Sequence, residues 1–408
     1  MKRSFLFRLV AHVDTVRTAG VVAAGTGLIA ATYGLVRLAY GLFLPDVQAE
    51  LSFDAAVAGW ISSGASVVYC VGAVVGFFSA WSHPRLLVGA AALTASVGAV
   101  GMASSVQAGT FAIFSILGSA GAGLASAALV TIVGRNVSAS GNSRSQAMVN
   151  AGTGPGLVAA GILALLLLPD WRLAWALVAV FTVGVAGAVL ILDRAPKGHP
   201  QGPQRGVPPR SWFVTHRLII VAAFLMGSGS AAVWNYGRTL LGDAGMNERV
   251  SISAWIALGV GGTAVIGSAR LMSRLSPRVA WTVTTIVVAA ASTALAMFPS
   301  SMGAALVACA AFGWGYTAGT NALIAWTIRI DADRAASGTS LLFVVLVLGQ
   351  AVGASAVGSL VTGAGFTVAF LAAAVITFAA AVVPILSSAR RVSRPLPERG
   401  RTERVPTR

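Results

Sequence analysis

Residues 171–192 read WRLAWALVAVFTVGVAGAVLIL, and this stretch decides the fold. It carries one charge, Arg172, and is bounded by Pro169-Asp170 before it and Asp193-Arg194 after it. At about 1.5 Å of rise per residue, a helix of this length crosses the roughly 30 Å hydrocarbon core of a bilayer. No strict alternation of apolar and polar residues runs through it, as a barrel strand would need. Inside lipid each backbone amide must find its partner within its own segment, so the run reads as a transmembrane helix.

The pattern repeats in both directions. Toward the N-terminus, apolar runs cover 20–44, 55–80, 85–104, 108–134 and 146–168. Toward the C-terminus they cover 216–241, 251–273, 279–298, 302–327, 337–361 and 365–387, which makes twelve spans in all. Pro45 is expected to end the first helix. Composition agrees: 56% of the 408 residues are hydrophobic and 10% charged, where soluble domains are nearer a quarter charged. So few charges cannot cover a water-facing surface, and the surrounding solvent is the lipid bilayer. The 47 glycines fit helices whose backbones approach closely.

The net charge of +16 does not indicate nucleic acid, because the cations sit in short segments between apolar runs and in the two tails rather than on one folded face. Counted by alternate loops, 24 of the 28 Lys and Arg fall on one side of the membrane. By the excess of cations in cytoplasmic loops, both termini are expected in the cytoplasm of a multi-pass protein of a bacterial inner membrane. The N-terminal 1–18 is expected to be a cytoplasmic leader, followed by a six-helix bundle over 19–192. A Pro/Gly-rich cytoplasmic linker over 193–215 leads to a second six-helix bundle over 216–387 and a basic tail over 388–408. Cys70 and Cys309 lie inside apolar runs and read as packing residues. His12, His83, His199 and His216 lack ligand spacing, and the Asp331-Ala332-Asp333-Arg334 loop reads as a solvated cap, so no metal, cofactor or enzymatic activity is expected. Without a phosphate-binding loop, ATP-driven transport by this chain is not expected either.

The two halves repeat each other. A shift of 195 residues brings Trp60-Ile61 onto Trp255-Ile256, Gly64 onto Gly259, Gly72 onto Gly267 and Gly118 onto Gly313. With a two-residue slip, His83-Pro84-Arg85 meets Ser276-Pro277-Arg278. After the eighth span the sequence reads Ala269-Arg270-Leu271-Met272-Ser273-Arg274-Leu275-Ser276-Pro277-Arg278, and the loop from Gly76 to Arg85 holds the equivalent place in the first half. The fifth span contains Gly152-Thr153-Gly154-Pro155-Gly156, and the first contains Gly34 and Arg37 followed by Ala39-Tyr40. Over 18–388 the chain resembles the major facilitator superfamily, in a little-characterised bacterial branch. The resemblance implies an all-α integral membrane fold of twelve helices in two parallel six-helix repeats, and a solute site near the midplane. It also implies that Arg85, Arg270, Arg274 and Arg278 belong to the gating loops, although Ser273 stands where the family's loop acid would be.

An ionisable group inside a span costs about 2.5–3.5 kcal/mol on insertion scales and usually faces a cavity or a partner. Arg37 lies eight residues before Pro45, or about 12 Å by helical rise. Tyr33 and Tyr40 share its helix face, and a cation between phenols suits a carboxylate or an aromatic ring. Trp234, Asn235, Tyr236 and Arg238 form a second polar cluster, with Asn235 at the place of Tyr40 under the repeat. Tyr69, Asn150, Trp314, Tyr316, Asn321 and Gln350 complete the candidate substrate-binding residues; each is equally compatible with helix-helix hydrogen bonding. No Asp or Glu is expected within a span. The function read from this pattern is a secondary transporter, expected as a monomer, that moves an anionic or neutral, partly aromatic solute by alternating access, with protons the candidate coupling ion. Efflux of hydrophobic or drug-like compounds is the alternative within transport. A non-transporting membrane sensor or scaffold of the same fold is the alternative of another class.

Overall fold

The computed structural model describes residues 2–194 and 209–392. Most of the expected linker and of the tail lie outside the described residues. The first span, Val16–Leu51, is built from the later part of α1 (Lys2–Ile29), a π-helical segment (Ala30–Leu38) and α2 (Tyr40–Leu51). The next three are α3 (Ala55–Ser79), α4 (Pro84–Ala103) and α5 (Ala108–Asn136). The fifth joins α6 (Ala139–Asn150) to α7 (Thr153–Leu167), and α8 (Trp171–Leu192) closes the first half.

The second half comprises α9 (Arg210–Asp243), α10 (Glu248–Met272), α11 (Pro277–Met297), α12 (Met302–Ile330) and α13 (Ala335–Val392). In α13 the backbone is non-helical at Gly365, whose φ of 85° is open to glycine and costly for a side chain bearing a Cβ. That break divides 58 residues into two spans. Ten helices are long and apolar enough to cross a membrane; with α13 divided at Gly365 and the 29-residue α12 added, the described residues supply twelve spans, and none is a strand.

Two expectations change. The first helix does not stop at Pro45 but runs on to Leu51. Pro45 has no N–H to offer the carbonyl of Gly41, which removes one helical bond. The neighbouring carbonyl of Leu42 accepts from Arg238 Nη1 at 2.6 Å, so a second helix satisfies backbone that the proline leaves loosened. In consequence Asp46 and Glu50 sit on the helix of the first span rather than in a loop after it.

Side chains explain where helices begin. Asp54 caps α3, accepting from the Val57 amide at 2.8 Å. Asp170 caps α8, and Ser276 and Ser301 cap α11 and α12. Each supplies an acceptor to amides that have no partner in the first turn.

Both halves pack internally and then against each other along α2 with α9, α3 with α13, and α7 with α10. At α3 and α13 the approach is close enough that a Cβ on Gly358 would lie 2.5 Å from both the Ala55 carbonyl and the Tyr236 hydroxyl. One buried cluster runs through both halves, including Phe43, Phe111, Trp171 and Trp175 from the first and Trp234, Trp255 and Phe312 from the second. A separate cluster around Leu28, Leu129 and Val133 belongs to the first half alone.

The two ends of the molecule differ. At the end holding Asp46, Asp54 and Glu248, polar bonds join the halves: Tyr236 donates to the Ala55 carbonyl at 2.8 Å, and Arg238 pairs with Asp46. At the arginine-rich end the described bonds stay within one half. There Asp193, its carboxylate fully buried, accepts from Arg85 at 3.1 Å, from Asn136 at 2.8 Å and from Arg135. In the other half, His216 stacks on Trp212 with ring centroids 3.6 Å apart and meets the Thr327 hydroxyl at 3.2 Å.

Candidate functional site

The π-helical segment positions Arg37. Its widened turn is marked by the bond from the Ala39 amide back to the Gly34 carbonyl at 3.0 Å, a five-residue step. π-turns are uncommon and concentrate at functional places. Gly34 lies so close to the Gly156 backbone of α7 that a Cβ there would be 2.8 Å from the Gly156 Cα, so the segment is held against its neighbour.

Arg37 is 8% exposed. Its Nη2 donates to Gln350 Oε1 at 2.9 Å and to Ser66 Oγ at 3.2 Å. The rings of Tyr69 and Tyr33 lie 4.9 and 5.1 Å from the guanidinium carbon, within range of a cation–π attraction. Its Nε and Nη1 are buried and have no hydrogen-bond partner. Among the described residues no carboxylate comes within ion-pairing distance of it. The site thus holds a guanidinium with two nitrogens that no protein acceptor meets.

The second half completes the site. Gln350 Nε2 donates to the Tyr316 hydroxyl at 2.9 Å. Tyr316 in turn stands edge-on to Trp234, with ring centroids 5.2 Å apart, and Trp234 also meets Phe312 at 5.4 Å. The Trp234 Nε1 is buried without a partner. A cavity of about 20 Å³ is lined by Arg37, Tyr40, Ser66, Ser115, Trp234 and Gln350, among others. That is enough for about one water and far below the few hundred Å³ a small-molecule site needs, so the centre is closed.

The structure thus gathers Arg37, Tyr33, Tyr69, Trp234, Tyr316 and Gln350 from five spans. Tyr40 and Asn235 border the same cavity, with their polar atoms engaged elsewhere. Tyr40 donates to the Ala58 carbonyl at 3.0 Å, and Asn235 accepts from Ser62 at 2.6 Å. Tyr236 and Arg238 lie in the seam between the halves, bonded as described above. Trp314 donates to Ser268 at 2.8 Å on α10. Asn150 and Asn321 are exposed and do not border the cavity. Of the expected gating cations, Arg85 holds Asp193 and Arg278 lies over Trp326 at 5.7 Å, while Arg270 and Arg274 are exposed. Ser62, Ser66 and Ser115 were not distinguishable in the sequence, where serine is common in these helices and carries no depth signal.

Two six-helix bundles of the same helix order, closed around a buried polar site at mid-span, define a polytopic membrane protein of the secondary-transporter class. The family description of the Major Facilitator Superfamily matches residues 26–346, and the chain belongs to that superfamily. Its fold is shared with the nucleoside transporter NupG at a TM-score of 0.74 and 12% identity, over 93% of this chain and 100% of that one. A bacterial homologue of the human lysosomal transporter Spinster, in an inward-facing and occupied conformation, gives 0.72 at 13% identity, over 92% of this chain and 97% of that one. A D-xylose-proton symporter gives 0.70 at 13% identity, over 90% of this chain and 96% of that one. No curated protein matches the chain.

Proposed function

We propose that this chain is a secondary transporter of a small organic anion, a carboxylate carried on a flat or partly aromatic body, and that Arg37 is its anchor. The observation that carries the reading is the buried guanidinium whose Nε and Nη1 meet no protein acceptor and which has no carboxylate beside it. An uncompensated charge in a low-dielectric interior is costly, and a bound anion offsets that cost while supplying the missing acceptors. Tyr33, Tyr69, Trp234 and Tyr316 add faces on which an aromatic body can stack.

The bundles 19–192 and 216–387 rock about this site. With 24 of 28 cations on one side, the arginine-rich end and both termini face the cytoplasm of a bacterial inner membrane. The seam closed by Arg238 and Tyr236 then faces outward, over a centre that is itself closed. Protons are the candidate coupling ion, and the carrier works as a monomer.

A second reading, export of apolar compounds, draws on a groove between α7 and α10. It is lined by Pro155, Val158, Ala159, Ile162, Val260, Thr263 and Ala264, with a volume of about 550 Å³. Proteoliposome flux separates the two. The test follows uptake of a panel of aromatic and aliphatic carboxylates, with and without a pH gradient, for wild type, Arg37→Gln and Arg37→Lys. Removing a charge-assisted bond worth about 1.5–3 kcal/mol lowers anion flux in Arg37→Gln roughly 10- to 150-fold. Anion flux unchanged in Arg37→Gln sinks the anchor, and flux of neutral apolar compounds alone favours export.

A further inference from the structure

We infer that Gln350 is a built-in placeholder for the solute's carboxylate: in the empty carrier its amide oxygen occupies an acceptor position on Arg37 and lets the two halves close without cargo. The inference rests on the reading of Arg37 as anchor and goes beyond it.

Three observations carry it. First, the bond from Arg37 Nη2 to Gln350 Oε1 joins the two halves across 313 residues of sequence, at 2.9 Å and in a buried setting. The other partner of Nη2, Ser66, belongs to the same half as Arg37. Second, the orientation of the amide is fixed. Arginine only donates, so Oε1 must face it, and Nε2 is then tethered to the Tyr316 hydroxyl at 2.9 Å. Gln350 is therefore a positioning residue held from behind by its own half, with its acceptor presented to the cation of the other.

Third, the acceptor is neutral. A glutamine oxygen supplies the geometry of a carboxylate oxygen without cancelling the charge of Arg37, whose Nε and Nη1 remain unpartnered. An ionised acceptor makes a shorter and stronger bond to a guanidinium than a neutral one does. An incoming carboxylate can therefore displace the amide, whereas a permanent Glu at 350 would compete with it. Placeholder and displaceability are the same property seen from two sides. A carrier without such a group would have to close over a cation lacking any acceptor from the opposite half, which would slow the return of the empty form.

Site-directed spin labels read the closure directly, with no solute present. In a Cys70→Ala, Cys309→Ala background, labels at Val106→Cys and Met302→Cys report the distance between the halves at the acidic end. Both positions are exposed, at 77% and 56%, and they precede α5 and begin α12 respectively. Full-length protein in nanodiscs is compared as wild type, Gln350→Ala and Gln350→Glu across a pH series bracketing carboxyl titration. Gln350→Ala is expected to lower the ratio of closed to open populations roughly 10- to 100-fold, the effect of losing one bond to a charged group. Gln350→Glu is expected to be more closed than wild type when ionised and to return to the wild-type distribution when protonated.

The other titratable side chains around this position are Tyr33, Tyr40, Tyr69, Tyr316 and Cys70, all present in wild type or removed equally from every variant. The difference between Gln350→Glu and wild type therefore isolates the new carboxyl. Distributions for Gln350→Ala that overlay wild type overturn the inference. A Gln350→Glu difference that does not change with pH also overturns it, because the position would then be only a packing site. If the distances respond as expected while Arg37→Gln leaves anion flux intact, the joint between the halves stands and the solute reading fails.

Discussion

Arg238 of α9 reaches across the seam between the halves to pair with Asp46 of α2, and its side chain is only 4% exposed. The same guanidinium donates to the Leu42 carbonyl and lies 3.5 Å from Glu248. One cation thus ties a proline-loosened turn of the first half to the opening turn of α10. Couplings that set a two-state equilibrium are typically about 1–3 kcal/mol, or roughly 5- to 150-fold. Arg238→Met is expected to shift the carrier toward the form open at the acidic end by an amount in that range. The check is accessibility of an acidic-end cysteine, such as Val106→Cys, to a membrane-impermeant maleimide, which should rise. Unchanged labelling would show that the pair is not a latch.

Asp193 presents a different case, because its partners all lie in one half. Removing one side of a buried ion pair costs about 3–5 kcal/mol, since the remaining charges lose their compensation. Arg85 is half exposed and is screened by solvent, so most of the loss should come through Arg135. Asp193→Asn is expected to lower the thermal unfolding temperature in detergent by several degrees and to leave the distance between the halves unchanged. Arg85→Ala should cost much less, about 1 kcal/mol or under.

At Gly358 a side chain has nowhere to go, with Ala55 and Tyr236 both at contact distance. Gly358→Leu is expected to hold the acidic end apart and to reduce flux of any transported solute at least tenfold while expression persists. A cysteine cross-link across the acidic end, between Val106→Cys and Met302→Cys, would form less readily in this variant. Wild-type flux in Gly358→Leu would mean that the seam need not close.

Tyr69 offers Arg37 a ring face, and a face can be kept while the hydroxyl is removed. Tyr69→Phe is expected to retain flux within a few-fold of wild type. Tyr69→Leu loses a cation–π contact of about 0.5–2 kcal/mol and should lower apparent affinity by roughly 2- to 30-fold. The comparison is made by the half-saturation concentration in proteoliposome uptake, and equal losses in both variants would argue for the hydroxyl rather than the ring.

The spans were legible because lipid imposes one rule on every backbone amide, and the rule shows as length and polarity. Pro45 reads as a helix end in sequence because its penalty belongs to an isolated helix, and the neighbouring helix relieves it through Arg238. Arg37 stood out because a charge at mid-span is costly, and the aromatic residues near it in sequence, Tyr33 and Tyr40, could be placed on its face. Tyr69 and Gln350 could be named only as polar residues in apolar helices. Asp193 falls in the linker by sequence, and nothing around it there marks a carboxylate that three side chains from two other helices seek.

The amino-acid order alone settled that the chain lies in a bilayer, that it crosses about a dozen times, and that its second half repeats its first. Those properties depend on local length, composition and spacing. Only the packed structure decided which polar groups meet: Arg37 with Gln350, Arg238 with Asp46, Tyr236 with two backbone carbonyls. In these helices the lipid-facing and protein-facing sides are both apolar, so periodicity does not reveal the rotation of a helix about its axis. That rotation is set by close glycine contacts and by the need of each buried donor for an acceptor, and both become visible only when the two halves are assembled.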